Sequence, residues 1–385
     1  MPMGTSPFTI LGGLALLLWI VSGQCYRQKR RYLTEPWFFP VLGLIILAWI
    51  GLLWSSDPAG LGLKYAKKSH YWLYAFAMAS IGFSDLPVAH LLKAFMGGLL
   101  ANAMVGFLQL LHFVPRFAEY GKTGYTGFYG GYNTLAILLI LGMLTASHHF
   151  RRSDIIRNKI IYAMLLSIYF LHLLLLESRG GYLTFIILSP IIIYNLLNGQ
   201  KKLLMVAMYL LFITLIFTSP VVQFRVQQAI ESIQNQIESS KDVAWGKTYG
   251  GYIDRIYMWR WAVDLVLKHP FLGVGTGGYK QAILSGGGSR GIAHPHNNFL
   301  YMAVSYGIVG VLMLGWLFLV IFTNAWRHRQ DVTGFFVLSS VLVIFVGGFT
   351  DTHILDAGGA FLFAITTGML SSLPKGSFTE KRVDP

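Results

Sequence analysis

The densest group of reactive side chains in this sequence is His294-Pro295-His296-Asn297-Asn298, where a long hydrophilic stretch gives way to an apolar run. Histidine has the ordinary pKa nearest neutrality, so His296 or His294 can accept a proton from a hydroxyl. The same position also suits a histidine that merely caps a membrane span, since polar groups at span ends cost little. A metal site built on the pair needs three or four ligands. Only His269, His353 and Asp351 could complete it, and none stands at a ligand spacing, so no metal and no other cofactor is expected.

Two further clusters carry positive charge. Glu177-Ser178-Arg179-Gly180-Gly181 forms a short polar turn between apolar runs, where the Arg179 guanidinium offers a planar fork of donors suited to phosphate oxygens. A snorkelling arginine at the interface is the alternative. The glycines beside it point to close approach of something bulky. Arg255 and Arg260, in Asp254-Arg255-Ile-Tyr-Met-Trp259-Arg260, are five residues apart on neighbouring helix faces. Either can be a second anion ligand or an exposed interfacial charge. Gly273-Val-Gly275-Thr-Gly-Gly278 lies outside any strand–helix–strand unit, so it is no dinucleotide fingerprint. A tight turn that shapes a groove for a phosphate, with Gly275 at its centre, is the expectation.

The elements that must position these residues are membrane spans. Of 385 residues, 55% are hydrophobic and only 12% charged, about half the charged fraction of a soluble domain. Apolar runs fall near 7–23, 37–54, 70–84, 92–114, 131–149, 158–176, 179–198, 202–219, 299–323, 332–350 and 357–373, each near the length of a transmembrane helix. The sequence thus predicts an all-α, polytopic bundle of 11 to 12 spans. The net charge of +14 fits basic cytoplasmic loops, and no motif points to nucleic acid. Arg27, Lys29, Arg30, Arg31, Lys93, Arg151, Arg152, Arg157 and Lys159 belong to the basic set, as do Lys201, Lys202, Arg327, Arg329 and the tail. This set is assigned to the cytoplasm, with the C-terminus. Lys64, Lys67 and Lys68 run against the pattern. Cys25 is the sole cysteine, which excludes an internal disulfide, and the first apolar run lacks the basic leader of a cleavable signal peptide.

This topology divides the chain into spans over 1–219, an external loop over 220–298, and spans with a cytoplasmic tail over 299–385. Within the loop, apolar spacing predicts helices over 221–239 and 253–268, the second ending at His269-Pro270. Charges gather at one surface rather than along a path through the spans, which favours a surface enzyme over a transporter of lipid-linked sugar.

Together the motifs resemble the O-antigen ligase and polymerase superfamily of bacterial envelope glycan synthesis. His296-Asn297, a nine-residue gap and Gly307-Ile-Val-Gly310 are similar to its histidine–glycine block. Arg255-Ile-Tyr-Met-Trp259 with His269-Pro270-Phe-Leu-Gly273-Val-Gly275 resembles a second block, and Ser178-Arg179-Gly180 its external arginine turn. The resemblance implies a metal-independent, inverting glycosyltransferase in the inner membrane, its active site facing the periplasm. Arg179 and Arg255 would hold an undecaprenyl-diphosphate-linked polysaccharide donor. His296 would act on the acceptor hydroxyl, with Arg260, Asn297, His294 and Gly275 around the substrates. The family commonly has both termini inside with 12 spans, one more than the runs counted here. The form of the histidine block favours ligation onto lipid A-core oligosaccharide. A polymerase of repeat units or a protein O-oligosaccharyltransferase is the alternative.

Overall fold

Inside hydrocarbon an apolar segment can satisfy its backbone only as a helix or a closed barrel, and every expected span except that at 70–84 falls chiefly on an α-helix. The structure is a computed structural model describing residues 5–81, 88–116, 124–197, 201–220, 222–223, 227, 230–231, 252–288 and 291–374. Helices α1 (Thr5–Val21), α2 (Gln24–Arg27), α3 (Lys29–Leu33), α4 (Phe38–Ile50), α5 (Leu63–Lys68), α6 (Leu73–Ile81) and α7 (Val88–Leu110) come first. They are followed by α8 (Tyr132–Arg152), α9 (Ile156–Leu175), α10 (Arg179–Leu197), α11 (Lys202–Thr218) and α12 (Tyr252–Lys268). The last are α13 (Tyr279–Ser285), α14 (Asn298–Arg327), α15 (Val332–Gly347) and α16 (Ala357–Met369). No strand occurs among the described residues.

Helices α7, α8, α9, α10 and α14 are long and apolar enough to cross a membrane, and shorter apolar helices occupy Ile10–Val21, Phe38–Ile50, Lys202–Thr218, Val332–Gly347 and Ala357–Ser372. The chain is an all-helical, polytopic membrane protein. One expected span departs from the pattern. The run at 70–84 begins in a tight 3₁₀ turn, Ser69–Trp72, and α6 follows it from Leu73 to Ile81. Residues 82–84 of that run lie outside the described residues. The helix expected over 221–239 lies for the most part outside the described residues.

Helix α8 is the axis of the bundle. Its sequence is apolar all round, and every residue from Thr134 to His148 is buried. It packs against α7, α9, α10 and α15. Small residues allow the closest crossings: a Cβ on Gly181 would stand 2.4 Å from that of Ala136. By contrast α11 fully buries only Ile216 and packs Phe212 on Phe170 and Phe185, while most of its other side chains are exposed, as on a lipid-facing helix.

Two ends of the bundle are distinguishable. At one, Arg152 donates to the Gln330 carbonyl at 2.6 Å and Arg151 lies 4.8 Å above the Tyr194 ring. At the other, the starts of α8, α10 and α14 meet the turn between α15 and α16. Helix α14 bends on its way there: Gly307 has φ 61 and ψ −150, a conformation open to glycine alone at no strain. The break frees backbone groups that the glycine-rich loop then satisfies. Ile308 N–H donates to the Pro270 carbonyl, while the Val304 and Ser305 carbonyls accept from Val274 and Gly275 at 2.8 and 3.0 Å. Ala262, Leu265, Val274, Tyr279, Ile283 and Val304 form a small second core, which seats α12 and α13 on the first half of α14.

Candidate active site

The site is built on the turn between α15 and α16, residues 348–356. Asn297 caps α14, its side-chain oxygen accepting from the Phe299 and Leu300 N–H groups at 2.9 and 3.0 Å. Its amide donates to the Phe349 carbonyl and its backbone N–H to Thr352 Oγ1, both at 3.0 Å. Asn298 N–H donates to the Gly348 carbonyl at 2.7 Å, and Asn298 Oδ1 accepts from Ile354 N–H. The two asparagines thus sew the start of α14 to the turn, and His296, immediately before them, is held at φ 49, a left-handed conformation that only dense surroundings maintain in a non-glycine residue.

His296 Nδ1 is 2.8 Å from Asp351 Oδ1, and 38% of the imidazole side chain is exposed. Burial alone would raise the pKa of Asp351. The hydrogen bond from His296, the positive potential of His353 and the Thr352 N–H outweigh it and hold the carboxyl well below the usual carboxylate range. A carboxylate accepts only, so Nδ1 carries the proton and Nε2 presents its lone pair. Such a base with an orienting carboxylate can take a proton from a bound hydroxyl.

The same carboxylate reaches the arginine turn. Asn133, at the start of α8, donates through its amide to Asp351 Oδ2, while its carbonyl accepts from Ser178 Oγ at 2.8 Å. Ser178 Oγ in turn accepts the Gly181 N–H at 3.0 Å, at the head of the helix that Arg179 begins. A Cβ on Gly180 would stand 2.4 Å from Thr350 Oγ1. The bulk expected beside these glycines is therefore Thr350 and α8. Thr134 also bonds Asp356, and Lys68 Nζ donates to the Leu355 carbonyl at 2.6 Å.

Arg255 and Arg260 separate in space. Trp259 Nε1 donates to the Pro295 carbonyl at 3.0 Å and pins α12 against the histidine segment. Arg255 is half-buried, and its charge adds to burial in pushing the His353 pKa down, whereas Arg260 is exposed. The head of the helix that Arg179 begins, Arg255 and His296 lie around one turn.

Three expected substrate contacts have partners within the protein itself. Gly275 is buried, its N–H bonds the Ser305 carbonyl, and the neighbouring Val274 and Thr276 N–H groups bond Val304 and Gly51. The loop therefore offers no donor there to a phosphate; it wedges the α14 kink against the end of α4. Asn297 is buried with three protein partners on its side chain, so it scaffolds the site. His294 packs 4.3 Å from the His296 ring and edge-on to Tyr65. Burial, then the neighbouring His296, push its pKa down to about 3, so it stays neutral behind the exposed histidine. Among the described residues, no three His, Cys, Asp or Glu side chains gather as a metal site.

Asp351 and Asn133 are members of this cluster that no sequence motif names. The one available signal was Thr350-Asp351-Thr352-His353, a polar run between two apolar helices, weighed only as a source of metal ligands.

Fold and site together define a helical membrane protein that gathers a histidine–carboxylate pair and arginines at one end of its bundle. Residues 162–315 match the O-antigen ligase family. The matched segment contains Arg179, Arg255 and His296, and Asn133 and Asp351 lie outside it. No curated protein matches the chain.

Proposed function

We propose that this chain is an O-antigen ligase, moving polysaccharide from undecaprenyl diphosphate onto lipid A-core oligosaccharide. The observation that carries the reading is the His296–Asp351 pair, exposed on its imidazole side and standing beside the head of the Arg179 helix. His296 Nε2 takes the proton of the acceptor hydroxyl as that oxygen attacks the anomeric carbon. The bond from that carbon to the phosphate oxygen breaks, and the electron pair leaves on the diphosphate. Arg179 and Arg255 neutralise its growing charge, so no acid need protonate the leaving group. A single displacement of this kind inverts the anomeric centre. Asp351 keeps the proton on Nδ1 and stabilises the imidazolium that forms.

The end carrying the site then faces the periplasm, with 220–298 as its external loop and the basic end and C-terminus in the cytoplasm. The test is lipopolysaccharide from a strain lacking this gene, resolved on a gel and probed for polymer left on the carrier, with complementation by wild type and by His296→Ala. Core-only lipopolysaccharide with long polymer stranded on the carrier, restored by wild type alone, supports ligation. Core bearing a single repeat unit assigns the same residues to a polymerase instead, and lipopolysaccharide unchanged beside lost protein glycans assigns them to protein O-glycosylation.

A further inference from the structure

We infer that Asn133 is a positioning residue that fixes the base at one separation from the arginine turn. The inference rests on the reading of His296 as base and goes beyond it. The family match begins after Asn133, and nothing in the histidine or arginine motifs points to it.

The argument is one of hydrogen-bond polarity. Ser178 Oγ accepts from Gly181 N–H and so directs its own proton to Asn133 Oδ1. Asp351 Oδ2, an ionised acceptor, needs a donor and meets Asn133 Nδ2. The position must therefore accept on one side and donate on the other. A primary amide does both from one planar group, and turning it over would set its carbonyl against the carboxylate. Aspartate cannot donate to Asp351, and alanine can do neither. Three elements that share no close sequence neighbourhood, α8, the head of α10 and the 348–356 turn, thus meet on one side chain. Glycine contact reinforces the same junction, since Gly180 lies on Thr350 and Gly181 on Ala136. The Asp351 oxygen not bonded to His296 is the one Asn133 takes, so losing the amide frees the carboxylate to rotate away from Nδ1.

Two kinds of substitution separate positioning from simple packing. Asn133→Ala removes both bonds, and transfer should fall about tenfold or more in kcat. Asn133→Asp keeps the shape and the Ser178 bond but sets a second carboxyl against Asp351. The pair then bears more negative charge beside His296, which holds its proton to higher pH. The acidic limb of the pH–rate profile should move up by about half a unit or more. A purely structural role would lower the amount of folded enzyme and leave that limb in place.

The assay uses full-length protein in lipid nanodiscs, with carrier-linked polysaccharide and core lipopolysaccharide, normalised to monodisperse protein. Ser178→Ala is measured in parallel, because it releases Asn133 while leaving Asp351 untouched; a several-fold loss of kcat is expected. A normal limb and kcat within twofold for Asn133→Asp overturn the inference. Should that variant not fold, full kcat in Ser178→Ala overturns it equally. His296→Ala keeps the two claims distinct: if it still transfers, the base assignment fails, whereas if it is dead and the Asn133 variants are normal, only the tie fails.

Discussion

The two ends of this bundle are made of the same kinds of residue and are held together differently. At the basic end, charged side chains mostly reach outward: Arg152 bonds one carbonyl across the helices, and His328 and Asp331 pair within their own turn at 3.5 Å. At the other end, Asn133, Ser178, His296, Asn297, Asn298, Asp351 and Thr352 bond one another or each other's backbone, and several are fully buried. Charge that serves topology needs only a side of the membrane. Charge that serves chemistry needs a distance and an angle, and those require a closed network of partners.

That contrast can be broken most severely at the base. His296→Ala should reduce transfer by about 10² to 10⁴, measured with purified protein on lipid-linked donor, while the fold survives. Asp351→Asn comes next, at about 10²-fold in kcat, because a neutral amide can no longer hold the imidazolium; equal activity at every pH would show the carboxylate to be a bystander. Gly307→Ala attacks the support rather than the chemistry. The residue sits at φ 61 with its missing Cβ 2.3 Å from the Phe271 carbonyl carbon, so a loss of about 1–3 kcal/mol is expected in thermal unfolding in detergent.

Acid offers a gentler probe. Folded His294 and Asp351 both bind protons less readily than in the unfolded chain. Their contribution is complete near neutral pH and is lost as pH falls, beginning near the ordinary histidine value of 6.5 and continuing toward about 3. Amide protection factors should therefore fall first around 294–298 and 348–356 and later at the basic end. The smallest effect is expected at Arg152→Ala, which should leave transfer within about twofold; a large loss there would erase the distinction between the ends.

How far the sequence disclosed this follows the range of each interaction. Helices α7 to α10 and α14 declare themselves because twenty apolar residues carry the signal locally. His296 is visible as a polar group at the mouth of such a run. Asp351 lies 55 residues from its histidine and Asn133 lies 218 from its carboxylate, and no local spacing encodes those meetings. Gly275 misleads for a different reason. Glycines that receive a phosphate and glycines that admit another backbone look identical until the partner of each N–H is known. Residues 70–84 are apolar enough for a span, but the helical path changes to a tight turn at Ser69–Trp72, where Trp72 packs on Phe363 of α16.

The bend at Gly307 gives the nine residues between Asn297 and that glycine the character of a gauge block. One end of the segment is clamped by the asparagine cap, the other by the 270–275 loop, so its length sets the phase of His296 about the helix axis. Each residue added or removed there would turn the histidine by about 100° and shift it by about 1.5 Å. A single insertion between 298 and 306 would therefore swing the imidazole off Asp351 while leaving hydropathy, span count and every motif residue intact.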